Sequence, residues 1–188
     1  KPANATVNKS TGTAIRDILV QSLAAKHNIN VSPLHIKPIV TIKEGKYYGL
    51  FNFREVFDEH YEKFYHGQSP DSLTMNYVQA GFENQVEYWD GRKSNFAPSA
   101  WRADVFDRVM IGNMQETGKY KDLLGVLDKS SMIDYFITNS FAINLNLFQY
   151  DVAFAKGGDP TKSGGKWHYY LWNMPSVFSY TDVLLPGY

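Results

Sequence analysis

Two strand-like runs flank a Glu-Gly pair near the start of the chain. Residues 36–43 and 47–54 are rich in β-branched and aromatic side chains, and Glu44-Gly45 lies between them. Because glycine adopts left-handed backbone conformations at little cost, the pair predicts a tight reversal and therefore a β-hairpin. The second run continues without a break into residues 55–65, where apolar side chains recur at helical spacing. The pattern predicts a strand that leads directly into a helix.

Apolar side chains also recur at helical spacing in residues 13–26 and 131–143, which predicts two further helices. Ser131, with Asp134 three residues later, resembles a capping box and predicts the start of the second of these helices. Its apolar side chains share one helical face, which we expect to be deeply buried: Ile133, Phe136, Ile137 and Phe141.

A second hairpin is predicted from residues 148–156 and 166–174, because the glycine-rich segment between them cannot continue either strand. A further strand over residues 73–79 and a helix over 101–111 complete the predicted elements. We therefore predict a single α+β domain over residues 13–188, preceded by a loose segment over 1–12.

Composition restricts the function classes. The chain has 188 residues, 44% of them hydrophobic, with 13 Tyr, 12 Phe and 4 Trp, which predicts a globular domain. Nineteen basic residues balance nineteen acidic ones, so there is no basic field for nucleic acid. The absence of cysteine excludes disulfides and thiolate chemistry. No apolar run is long enough for a membrane span, and we expect the chain to be part of a longer protein.

One segment resembles a known family. Residues 44–61, EGKYYGLFNFREVFDEHY, are similar to the NGxYxGxYxxxExxD element of the CotH (spore coat protein H) kinase family. Arg16-Asp17 before it and the segments 134–146 and 166–175 after it occur in the order found in that family, so the resemblance spans roughly residues 14–178. It implies an atypical protein-kinase-like fold that binds ATP and Mg²⁺. It also implies a protein substrate or partner, at the cell surface or outside the cell.

The resemblance carries over unevenly to individual residues. Glu55 matches the family glutamate that orients a phosphate-binding lysine. Asn144 and Asn146 stand where the family has NxD, which implies that Asn144 lies near the nucleotide. The catalytic position, Asn146, holds an amide that cannot accept a proton. As an alternative that needs no active site, both asparagines would cap the end of the buried helix.

The family's metal-binding WDxD element is altered in the same way. It reads Trp172-Asn173-Met174-Pro175 here, which implies that Trp172 lies near the nucleotide and Asn173 at the metal. Asp151 offers a relocated metal ligand. As an alternative, Trp172 would simply fill the core and Asn173 would enter a turn.

Residues 71–81, where the family has its phosphate-binding lysine, contain no lysine. Three function classes follow: a pseudokinase that serves as a binding module, which the lost charges favour; an active Mg-ATP-dependent protein kinase; and a carbohydrate-binding surface protein. The third would use exposed aromatic side chains: Tyr47, Tyr48, Tyr88, Trp89 and Trp101. The five histidines show no short paired spacing, so they predict no zinc site.

Overall fold

The computed structural model describes residues 15–78, 86–90, 93–94, 100–144, 152–172, 174 and 177–178. Within these residues the protein combines helices with antiparallel strands, which confirms the predicted α+β class. The loose segment predicted for residues 1–12 lies outside the described residues, as do Asn146, Asp151, Asn173 and Pro175.

The first predicted hairpin is confirmed. Strands β1 (Ile36–Lys43) and β2 (Lys46–Arg54) pair antiparallel around Glu44 and Gly45, whose φ angles are 53° and 75°. Two successive residues with positive φ are typical of a type I′ turn, whose twist matches that of the flanking strands. The hairpin forms a sheet of its own and pairs with no other strand in the described part of the chain.

A second sheet has five antiparallel strands in the order β5-β4-β3-β6-β7. Its strands are β3 (Thr74–Val78), β4 (Val86–Asp90), β5 (Lys93–Ser94), β6 (Val152–Lys156) and β7 (His168–Tyr170). Strand β3 is the strand predicted over residues 73–79, and β6 with β7 is the second predicted hairpin. The side chains of Ala153, Phe154 and Ala155 are buried, so β6 is covered on both faces.

Helix α1 (Arg16–Lys26) lies within the segment predicted to be helical. Helix α2 begins later than predicted, because Asp58 caps it by accepting hydrogen bonds from the backbone N–H groups of His60 and Tyr61. It runs over Glu59–Tyr61 and continues as a π-helical turn over Glu62–His66. The later start and the wider turn alter which residues face inward. Phe64 is therefore exposed, whereas Glu62 is buried.

Three further helices precede β6. A π-helical stretch over Arg102–Phe106 continues into α3 (Asp107–Ile111), within the segment predicted to be helical. Helix α4 (Thr117–Val126) has no counterpart among the predicted elements, and α5 (Lys129–Phe141) follows it closely.

The prediction of how α5 begins and which face it buries was wrong. Its N-cap is Asp128, whose carboxylate accepts a hydrogen bond from the Ser131 backbone N–H at 3.0 Å. Ile137 and Phe141 are exposed, and the buried face is partly polar. The reason is hydrogen bonding, because the Ser131 hydroxyl accepts the backbone N–H of Tyr169 in β7 at 2.9 Å.

The core consists of two adjoining groups of side chains. The larger group packs α1, α4 and α5 against β6 and β7, and Trp167 and Leu171 are fully buried in it. The smaller group surrounds Tyr170 on the side of the sheet that faces α2. Among the described helices, none has both the length and the hydropathy of a membrane-spanning segment.

Candidate functional site

Glu55 lies at the base of the β1–β2 hairpin, one residue after β2 ends. One carboxylate oxygen, Oε2, accepts the His35 backbone N–H at 2.9 Å and lies 3.0 Å from His35 Nδ1. The other, Oε1, accepts the Tyr65 hydroxyl at 2.6 Å. Among the described residues, the ion-pair partner of Glu55 is His35, and no lysine pairs with it.

These contacts also set the charge of Glu55. Burial on its own raises the pKa of this carboxyl, but the hydrogen bonds from Tyr65 and His35 outweigh burial and hold the pKa below its usual range. Glu55 is therefore ionised at neutral pH, and its negative charge is directed toward an imidazole and a phenol.

Asn144 is a buried amide at the end of α5. Its Nδ2 donates to Asn139 Oδ1 at 2.7 Å, and Asn139 Nδ2 in turn donates to the Tyr135 backbone carbonyl at 2.8 Å. The preceding residue, Ile143, has a positive φ of 52°, which ends the helix. The left-handed residue at the helix end is thus Ile143 and not an asparagine, and the Asn144 backbone N–H donates to the Asn139 carbonyl at 2.9 Å.

Trp172 is half-buried against the smaller group of core side chains. The segment after β7 also reaches α5, because Asn144 Nδ2 lies 3.6 Å from Met174 Sδ. The end of α5 therefore lies next to the segment that follows β7. No described hydrogen bond or ion pair of Glu55 reaches Asn144 or Trp172.

A different group of polar side chains is buried between α2 and β7. Glu62 Oε1 lies 3.1 Å from His168 Nε2 and 3.9 Å from His66 Nε2, and it accepts the Tyr170 hydroxyl. We call Glu62, His66 and His168 the Glu–His cluster. Their side chains are 1%, 17% and 6% exposed, respectively, so water has little access to the carboxylate.

Burial and charge act against each other in the Glu–His cluster. Burial raises the pKa of Glu62, yet the hydrogen bond and charge of His168 bring it below its ordinary value. For His168, burial lowers the pKa, but the Glu62 carboxylate raises it overall. Burial and the neighbouring His168 both lower the pKa of His66, which is therefore neutral at pH 7.

Reasoning from the sequence did not bring the three residues of this cluster together. His66 ends the π-helical turn and His168 begins β7, so the two rings come from distant parts of the chain, with their centroids 4.7 Å apart. A short spacing between two histidines indicates a metal site only where both lie on the same helix, strand or loop. A signal was present in Glu62 and His66 at i and i+4, but an independent argument was needed to bring His168 to them.

One face of the β1–β2 hairpin is apolar and open to solvent. Alternation along the strands and the observed register place four apolar side chains together, and each of these residues is more than half exposed: Val40, Ile42, Tyr47 and Leu50. We call these four the hairpin patch. Tyr48, at the register shift, is exposed as well, and its ring stacks on Phe51 at 5.8 Å.

Three of the aromatic residues considered for sugar binding have described side chains, and those of Tyr88 and Trp89 lie outside the described part of the structure. Tyr47 and Tyr48 are exposed on the hairpin, whereas Trp101 is half-buried and packs on Phe154 at 4.8 Å between ring centroids.

Comparison of the chain with protein-family models, with curated proteins and with solved structures finds no match. A function must therefore be argued from the residues and the geometry described above.

Proposed function

We propose that this chain is a degenerate kinase-like domain of the CotH type, which binds a protein partner at the cell surface or outside the cell and transfers no phosphate. The observation that carries the proposal is the environment of Glu55. In a working kinase site the corresponding carboxylate holds a lysine against the nucleotide phosphates. Here it is held by His35 and Tyr65, which join it to the protein's own framework.

The residues at the other family positions support the same conclusion. Asn146 and Asn173 carry amides where the family has carboxylates, and Pro175 replaces a further acidic residue. Removing one preorganised electrostatic group from an active site costs about 10² to 10³ in rate, although such losses do not add. Without these charges, Mg²⁺ and the triphosphate lose their principal ligands.

The hairpin patch is the surface that we propose for partner binding. An apolar patch rimmed by charged residues such as Lys43 and Lys46 is typical of protein interaction sites. Neither β1 nor β2 pairs with a third strand in the described part of the chain. An extended segment of a partner would therefore find both backbone hydrogen bonds and apolar contacts there.

Restoring the charges tests whether the scaffold is kinase-like. The double variant Asn146→Asp/Asn173→Asp should bind Mg²⁺ with ATP more tightly than the wild-type chain, by at least tenfold in isothermal titration calorimetry. Asn28→Asp, at an exposed position in the turn that follows α1, is the matched control and should leave binding unchanged. If the double variant binds MgATP no better than this control, the two positions do not share a cleft and the proposal fails.

Carbohydrate binding is a second candidate, because Tyr47 and Tyr48 are exposed on the hairpin. Exposed aromatic rings stack on the apolar faces of sugars. A glycan array decides the matter. A hit that is lost in Tyr47→Ala but kept in Tyr120→Ala, at a less exposed position on α4, would favour this function over protein binding.

A further inference from the structure

The three members of the Glu–His cluster present their ligand atoms to one another. One nitrogen from each histidine and one oxygen of Glu62 all lie within 4.8 Å of one another. Glu62 and His66 are four residues apart on the π-helical turn, and His168 faces them from β7. Turns of this type inside helices are frequent at functional sites.

The distances fit a tetrahedral metal ion. With Zn–N and Zn–O bonds of about 2.0 to 2.2 Å, ligand atoms at the corners of a tetrahedron lie about 3.3 to 3.6 Å apart. The two distances from Glu62 Oε1, 3.1 Å to His168 and 3.9 Å to His66, lie on either side of that range. Small side-chain movements would bring all three atoms to equal distances from one ion.

The second carboxylate oxygen supplies an independent observation. Glu62 Oε2 is buried and has no hydrogen-bond partner among the described residues. A buried, charged oxygen without a partner is costly, so its presence calls for a cation or another donor at that position. By contrast, both carboxylate oxygens of Glu55 have hydrogen-bond partners.

The loop between β6 and β7 leaves room beside this oxygen. Gly164 has a positive φ of 73°, and a Cβ atom built on it would lie 3.1 Å from Glu62 Oε2 and 3.1 Å from His168 Cε1. Any side chain at this position would come into steric conflict with Glu62 and His168 of the cluster. Glycine keeps the space next to the carboxylate open.

The histidines are oriented as metal ligands commonly are. His168 Nδ1 lies 3.1 Å from the Lys166 backbone oxygen, and because a carbonyl only accepts, Nδ1 carries a proton. The other nitrogen, Nε2, then faces Glu62 with a lone pair available when the ring is neutral. His66 Nδ1 lies 2.8 Å from the Ser163 hydroxyl, and its Nε2 lies 3.2 Å from the Ser32 hydroxyl and 3.9 Å from Glu62 Oε1, so a metal ion would replace Ser32 as the partner of Nε2.

We propose that Glu62, His66 and His168 bind one divalent transition-metal ion of the zinc class, which fastens the π-helical end of α2 to β7 and to the loop before it. Two imidazoles and one carboxylate suit zinc-like ions, whereas Mg²⁺ prefers oxygen ligands alone. This proposal does not depend on the proposed function.

The test uses the full chain after removal of metal with a chelator. Zn²⁺ is titrated in competition with a chromophoric chelator, and Co²⁺ is titrated separately because a four-coordinate cobalt ion absorbs visible light far more strongly than the hydrated ion. The variants are His66→Ala and Glu62→Gln. The matched control is His60→Ala, an exposed histidine on the same helix. Far-UV circular dichroism confirms that each variant is folded.

We expect the wild-type chain to bind one equivalent of Zn²⁺ and to give a four-coordinate Co²⁺ spectrum. His66→Ala and Glu62→Gln should lower the Zn²⁺ affinity by about 100-fold or more, and His60→Ala should not change it. Equal Zn²⁺ affinity in the wild-type chain and in folded His66→Ala would overturn the proposal. If both cluster variants unfold, the wild-type spectrum decides, because a spectrum of hydrated Co²⁺ alone also overturns it.

Discussion

Glu55 and His35 close the base of the β1–β2 hairpin, with Glu55 Oε2 3.0 Å from His35 Nδ1 and 2.9 Å from the His35 backbone nitrogen. The Tyr65 hydroxyl donates to the other carboxylate oxygen. One side chain thus joins the residue before β1, the residue after β2 and the π-helical end of α2. This arrangement gives Glu55 a structural task that requires no nucleotide.

Glu55→Gln should therefore lower the free energy of unfolding. The amide keeps one acceptor oxygen but loses the charge and part of the hydrogen bonding, at a cost of roughly 0.5 to 1.5 kcal/mol for a partly exposed group. Urea unfolding measures the change. Glu44→Gln, in the exposed turn of the same hairpin, is the control and should differ from wild type by less than about 0.5 kcal/mol. If the two variants are equally stable, Glu55 has no structural role in the hairpin.

The stability of the protein should fall in acid partly because of Asp104. Its carboxylate accepts hydrogen bonds from Lys156 Nζ and from Trp167 Nε1, the latter at 3.0 Å. Burial raises the pKa of Asp104, but these hydrogen bonds and the lysine charge outweigh it, so the folded-state pKa lies below the ordinary value. The resulting stabilisation is complete above the unfolded pKa of about 3.9 and disappears as the pH falls through the folded-state pKa.

Thermal unfolding between pH 7 and pH 3 measures this contribution. Asp104→Asn should be less stable at pH 7 by about 1 to 3 kcal/mol, and its stability should change less below pH 5 than that of the wild-type chain. Asp107→Asn, which removes an exposed carboxylate paired with Arg102, is the control. An acid dependence that is the same in Asp104→Asn and wild type would mean that other carboxylates cause the loss.

Gly164→Ala should destabilise the fold, because a side chain with a positive φ is strained and the new Cβ would press on Glu62 and His168. We expect a loss of at least about 1 to 2 kcal/mol. Gly125→Ala in α4 is the matched comparison, since a Cβ there meets nothing within 4 Å. It should stabilise the helix by about 0.5 to 1 kcal/mol. Chemical denaturation of both variants measures the difference, and a neutral Gly164→Ala would contradict the described backbone.

The hairpin patch should contribute to binding and little to stability. Val40→Ser/Ile42→Ser removes two exposed apolar side chains, so the free energy of unfolding should change by less than about 1 kcal/mol. The same variant should bind less of the dye ANS and associate less with itself in analytical ultracentrifugation. Thr41→Ser, between the two positions on β1, is the control. Cooperative unfolding at much lower urea would show instead that the patch belongs to a core.

Local chemistry explains what was predictable from the sequence. Glu44-Gly45 fixes a turn by backbone preference alone, so the first hairpin, and the strand that leads toward α2, followed from the residues. The buried face of α5 could not be predicted from local sequence. That helix has apolar residues on more than one face, and Ser131 turns inward because it bonds the Tyr169 backbone in a strand distant along the chain. No periodicity contains this information.

The same distinction between local sequence and distant contacts applies to the candidate sites. A helix end near Asn144 could be anticipated from the sequence, although the left-handed residue there is Ile143 and not an asparagine. The Glu–His cluster could not be, since Glu62 is carried inward by the π-helical turn and His168 approaches from β7. Local sequence indicates neither the turn type nor this pairing of elements.

We propose that the chain keeps a kinase-like framework and binds no nucleotide. Thermal unfolding of the wild-type chain with and without millimolar MgATP tests it most directly, because a ligand raises the unfolding temperature in proportion to the logarithm of its concentration over Kd. We predict no change beyond that caused by MgCl₂ with sodium sulfate at matched ionic strength. A rise of several degrees that requires both Mg²⁺ and ATP would contradict the account.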